Sequence, residues 1–124
     1  MLTGSHVLVA EDELLIAADL ADHLEGFGAK VIGPATTVQE GLRLAATETI
    51  NSALLDFNLF DGDVTPLLDL LASRGVATIV YKGRGVPRDL IERHRGLTVI
   101  PKPSPMHRIV AELAEARERS APPP

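Results

Sequence analysis

Ser52-Ala53-Leu54-Leu55-Asp56-Phe57-Asn58 decides how the rest of the chain reads. Residues 53–55 are a short continuous apolar run that ends on an aspartate, the pattern of a strand covered on both faces of a sheet. Two other runs also end in charge. Val7-Leu8-Val9-Ala10 closes on Glu11-Asp12, and Val99-Ile100 closes, through Pro101, on Lys102. In a parallel sheet ligands gather beyond the carboxyl ends of the strands, so Glu11, Asp12, Asp56 and Lys102 are expected to outline one site.

Working outward, strand and helix signals alternate five times. His6–Ala10 reads as the first strand, and residues 13–27 place Leu15, Ile16, Leu20 and Leu24 on one helical face before Gly28 stops the helix. Val31-Ile32 makes a short second strand ending at Gly33-Pro34. Thr37, with Glu40 three residues later, matches a capping box for a helix through Thr47. Ser52–Asp56 is the third strand, 58–64 a loop, and Thr65-Pro66 opens a helix through Ser73 that Gly75 ends. A fourth strand (78–81), a helix that Pro87 opens (89–94), a fifth strand (97–100) and a last helix from Ser104-Pro105 to Arg119 complete the pattern. In that helix Ile109, Val110 and Leu113 face inward. Short links between strands and helices imply a doubly wound, five-stranded parallel α/β sheet with helices on both faces. The expected domain is 1–119, with 120–124 a disordered tail.

Composition narrows the function classes. The chain has 124 residues, enough for one well-formed core, and 45% of them are hydrophobic, which excludes disorder for the body. Aromatic residues are 3% and the formal net charge is −5, so there are few rings for stacking bases and no basic groove for direct nucleic-acid contact. There is no cysteine for a disulfide or a thiolate metal site. No run reaches the length of a membrane helix and the amino terminus lacks a basic stretch followed by a long apolar core, so a cytoplasmic protein without membrane contact is expected. His6, His23, His94 and His107 share no metal-ligand spacing, and Gly83 and Gly85 fit neither a phosphate loop nor a dinucleotide fingerprint.

Glu11-Asp12 after strand one, Asp56-Phe57-Asn58 after strand three and Lys102-Pro103 after strand five together resemble the receiver domain of bacterial two-component response regulators, over essentially the whole chain. The resemblance implies the flavodoxin-like (β/α)5 receiver fold. It also implies transfer of a phosphoryl group from a histidine kinase or phosphotransfer protein onto Asp56 with Mg2+, a reaction of positioning and charge neutralisation. Magnesium prefers octahedral oxygen ligands and retains waters. By resemblance Asp12 is a direct ligand, Glu11 a ligand through water, and Asp56 and the backbone carbonyl of Asn58 further ligands. Lys102 would pair with Asp56 and then with the phosphoryl group, and the peptide bond before Pro103 would be cis. Taken alone, Glu11 and Asp12 also suit a charge pair at a helix N-terminus, and Lys102 a solvated strand-end cation.

The departures from the family pattern are specific. Where receivers place a Thr or Ser after strand four, this chain has Lys82, followed by Gly83 in the usual small-residue place. Val99 replaces the Tyr or Phe that many receivers turn inward on activation. The segment Val80-Tyr81-Lys82-Gly83 is similar to a Phe-Ala-Thr-Gly signature only in its glycine. Three readings of Lys82 stay open. It competes with magnesium for Asp56, it neutralises a bound phosphoryl group, or its stem carries the ammonium into water.

The expected function is a single-domain receiver acting as a switch or phosphoryl sink, a phosphoacceptor rather than an enzyme. Its downstream partner would bind through the α4-β5-α5 face at Val86, His94, Val99, Met106, His107 and Ile109, with the chain a monomer or weak dimer. The alternatives are a degenerate receiver working without phosphorylation and an aspartyl-phosphate phosphatase. The latter requires a second carboxylate two residues after the nucleophile, where this chain has Asn58.

Overall fold

The computed structural model describes residues 1–82, 86–94 and 97–120, the last without the Ser120 side chain. Five strands, β1 (His6–Ala10), β2 (Lys30–Ala35), β3 (Ser52–Asp56), β4 (Ala77–Lys82) and β5 (Thr98–Pro101), form one parallel sheet in the order β2-β1-β3-β4-β5. Five helices alternate with them: α1 (Leu14–Gly26), α2 (Val38–Thr47), α3 (Thr65–Ser73), α4 (Arg88–Arg93) and α5 (Met106–Ser120). This is the doubly wound arrangement that the alternating signals implied. Gly83 and the tail beyond Ser120 lie outside the described residues.

The sheet is covered on both faces, and successive residues of one strand feed opposite cores. Val7 and Val9 of β1, Leu54 of β3 and Ile79 of β4 pack with Leu20, Leu24, Ile109 and Leu113 of α1 and α5. Leu8, Ala53, Leu55 and Val80 pack on the other side with Leu67, Leu68 and Leu71 of α3 and with Leu90 of α4. That two-sided burial is why the runs are continuously apolar. Leu54, central in the sheet and 1% exposed, is a direct probe of it: Leu54→Ala should cost about 2–5 kcal/mol, read as a lower urea midpoint at unchanged slope.

Three sequence expectations need correction. β2 extends over six residues rather than two, because an edge strand tolerates the Gly33-Pro34 pair that reads as a stop. Gly33 adopts φ 101°, and a Cβ there would lie 3.0 Å from the Val9 carbonyl oxygen, so this break in the β1–β2 register needs glycine. On α1 the buried stripe is Ala17, Leu20, Ala21 and Leu24, whereas Leu15 is 88% exposed; the small alanines, not Leu15, face the sheet. Ile109, expected both to face inward and to take part in a partner surface, is buried in the core, because it sits on the stripe that also carries Val110 and Leu113, so only the partner-surface reading fails.

Candidate functional site

β1 and β3 are neighbours and β3 pairs with β4, so their carboxyl ends deliver Glu11, Asp12 and Asp56 to one edge of the sheet. One oxygen from each of these three carboxylates lies within 4.8 Å of the others. Lys102 arrives from the end of β5 and closes the cluster, its Nζ donating to Asp56 Oδ2 at 3.0 Å and to Glu11 Oε1 at 3.1 Å. The Lys102–Pro103 peptide is cis. All four charged residues expected to meet do so.

The balance of charge in the cluster is unfavourable without a further cation. Glu11 is 1% exposed. Burial, followed by hydrogen bonding to Asp56 and the Asp56 charge, raises the Glu11 carboxyl from 4.5 to about 7, and the bond from Lys102 only partly offsets this. Burial lowers the Lys102 ammonium, but its bonds to Asp56 and Glu11 outweigh that and the net shift is upward. Three crowded oxygen donors, one of them holding a proton near neutrality for want of positive charge, fit a hard divalent cation.

Asn58 stands exposed two residues past Asp56, at the start of a small antiparallel ribbon, Asn58–Leu59 with Gly62–Asp63. Asp61 in that ribbon ties it to α2, accepting from the amides of Val38 at 2.6 Å and Gln39 at 3.1 Å, while Thr37 accepts from Glu40 at 3.0 Å. The amide bonds, that of Val38 above all, lower the Asp61 carboxyl. The α2 cap is therefore shared between Thr37 and a residue remote in sequence. Asp61→Ala should speed hydrogen exchange at Val38 and Gln39 and lower the melting temperature at neutral pH. That difference should shrink as pH falls below about 3.8, the ordinary carboxylate value, and vanish once pH has dropped through the lowered folded value and the parent's cap is itself protonated.

Of the three readings of Lys82, the resting side chain matches neither a pairing with Asp56 nor a stem that carries the ammonium away from the site. It ends β4, one residue past the Asp56–Tyr81 register pair, and its Nζ lies 3.9 Å from the centroid of the Phe57 ring. Among the described residues Lys82 makes no ion pair within 4.0 Å, with Asp56 or any other carboxylate. Its charge nonetheless helps to lower Asp63, whose main causes are its bonds to Thr65. Lys102 in turn stands 5.0 Å over the Tyr81 ring. Two rings thus shelve the two site lysines, a role for Phe57 and Tyr81 that the sequence signals only by placing each aromatic next to a charged strand-end residue. Val99 is half-buried in β5, opposite Val80.

The expected partner face is only partly available. His107 is exposed and Val86 and Val99 are half-buried. Met106 is half-buried and lines a groove with Leu15 and Ile16 of α1, and His94 is engaged with Asp69 of α3 at 2.6 Å. Among the described residues no helix is long and apolar enough to cross a membrane.

No protein-family model matches the chain. A response regulator receiver domain protein (CheY-like) from Methanospirillum hungatei JF-1 superposes with a TM-score of 0.85 at 24% identity, over 94% of this chain and 95% of that one. SdrG from Sphingomonas melonis Fr1 is 32% identical, with a TM-score of 0.76, over 92% of this chain and 96% of its own. The transcriptional regulatory protein PdtaR of Mycobacterium tuberculosis is 33% identical over 118 residues, 91% of this chain, which spans 58% of that relative's length. With a near full-length relative above 30% identity and the receiver architecture throughout, this chain belongs to the receiver domains of two-component response regulators.

Proposed function

We propose that Asp56 is the phosphoacceptor of this receiver, with Glu11, Asp12, Asp56 and the Asn58 carbonyl holding Mg2+ and Lys102 acting on the phosphoryl group. The observation that supports this most is the Lys102 ammonium bonded at once to Asp56 and Glu11 inside a cluster of three carboxylates. An Asp56 oxygen bonds to phosphorus as the phosphorus–nitrogen bond of a phosphohistidine donor breaks, so the acceptor must be unprotonated and held still. Lys102 fixes Oδ2 of that carboxylate and stands ready to neutralise a phosphoryl oxygen. A magnesium ion bound at the carboxylates supplies further neutralisation and orients oxygen ligands. Incubation with acetyl phosphate, followed by intact mass, tests the reading: labelling is expected with magnesium and not with a chelator.

The donor is a histidine kinase or phosphotransfer protein, and the domain acts in the cytoplasm as a monomer or weak dimer. Output runs by protein contact through the face of α4, β5 and α5. Ile91 on α4, 46% exposed, and His107 on α5 are the accessible positions there. Ile91→Ala with His107→Ala should weaken binding of a downstream partner about tenfold or more, since truncated interface anchors cost upward of 1 kcal/mol. A partner indifferent to both changes would place the surface elsewhere.

A further inference from the structure

Phosphorylation changes the charge that the site must balance. Three carboxylates and Lys102 sum to about −2, which a divalent ion cancels; exchanging the Asp56 carboxylate for an acyl phosphate adds close to one more negative charge. In receivers with Thr or Ser at the strand-four position a neutral hydroxyl meets that group. Here the position is a lysine. Lys102 is already committed to two carboxylates, whereas Lys82 makes no ion pair among the described residues and touches a ring. Its resting contact is with Phe57, the residue directly after Asp56, and its strand lies beside Asp56 in the sheet. A ring quadrupole holds an ammonium weakly at a partly exposed site, and a phosphoryl dianion is a far stronger partner for it.

We infer that Lys82 is the phosphoryl-responsive cation of this domain, its ammonium shelved on Phe57 while Asp56 is free and transferred to the phosphoryl oxygens when Asp56 is phosphorylated. The inference rests on the reading of Asp56 as phosphoacceptor. It assigns the switching role to the long side chain itself, which crosses from ring to phosphate without requiring the strand-four loop to move inward as a short hydroxyl does.

The chain has only three lysines, Lys30, Lys82 and Lys102, so lysine-selective isotope labelling gives a nearly assigned spectrum, and Lys82→Met identifies the Lys82 signals by their loss. In the unphosphorylated parent the Lys82 ε-methylene protons should be shifted upfield by the Phe57 ring current. Phe57→Leu should return them to the ordinary lysine position. Acetyl phosphate with magnesium should also return them there in the parent, in the same sample whose intact mass shows one added phosphoryl group. If the mass shows the phosphoryl group and the shielded signals stay put, Lys82 does not transfer, although Asp56 still accepts phosphate. An unshielded Lys82 before any donor is added refutes the resting contact. Absence of the phosphoryl group in the parent overturns the phosphoacceptor reading and this inference with it.

Discussion

Without a divalent cation, the folded protein is expected to lose about 2–3 kcal/mol of stability as pH rises from 5 to 8. The cause is Glu11, buried beside the Asp56 carboxylate and raised from 4.5 to about 7. A carboxyl whose folded value lies above its unfolded one stabilises the fold fully below about 4.5. That contribution disappears as pH climbs through about 7. Magnesium held at these carboxylates, as proposed, would compete with the proton for the same oxygens, so it should stabilise the protein more at pH 8 than at pH 5 and flatten the profile. Urea unfolding at both pH values, with chelator and with saturating magnesium, measures all four stabilities. A chelated profile flat between pH 5 and 8 would contradict the crowded-carboxylate account of the site.

Removing Lys102 should have a larger effect on chemistry than on folding. Lys102→Met deletes the ammonium bonded to Asp56 at 3.0 Å and to Glu11 at 3.1 Å, which on the proposed reading is a preorganised cation aimed where phosphoryl charge develops. Loss of one such group slows reaction by roughly 10²-fold or more, so labelling by acetyl phosphate at saturating magnesium should fall by about that factor. The same change leaves two neighbouring carboxylates without their shared cation, and the variant should be destabilised most at pH 8, where Glu11 no longer holds its proton. Labelling within about threefold of the parent would show that the lysine does not act on the phosphoryl group, since that corresponds to well under 1 kcal/mol in the barrier.

Much of this was legible in the sequence, for reasons tied to particular residues. β1 and β3 have the boundaries read from the chain because strands covered on both faces leave an uninterrupted apolar run with polar ends. Glu11, Asp12, Asp56 and Lys102 were legible as a cluster because parallel topology alone brings strand ends together. An edge strand carries no such run, so only Val31-Ile32 of β2 stands out in the sequence, and helical spacing does not say whether Leu15 or the interleaved alanines of α1 face the sheet. Ile109 reads both as inward-facing, from its spacing with Val110 and Leu113, and as part of the α4-β5-α5 face, and the packing of α5 keeps only the first of these. The seat of Lys82 on Phe57 depends on the β3–β4 register and on where a flexible four-carbon stem comes to rest, neither of which local sequence encodes. The burial that raises Glu11 was likewise hidden, since the same acidic pair also suits an exposed helix start.

The central claim is that Asp56 itself carries the phosphoryl group. Parent and Asp56→Asn proteins should be incubated side by side with acetyl phosphate and magnesium and read by intact mass. The account predicts one added phosphoryl group on the parent and none on the variant, in which the acceptor carboxylate has become an amide. Equal labelling of the two proteins, or no labelling of the parent at high magnesium, would contradict it.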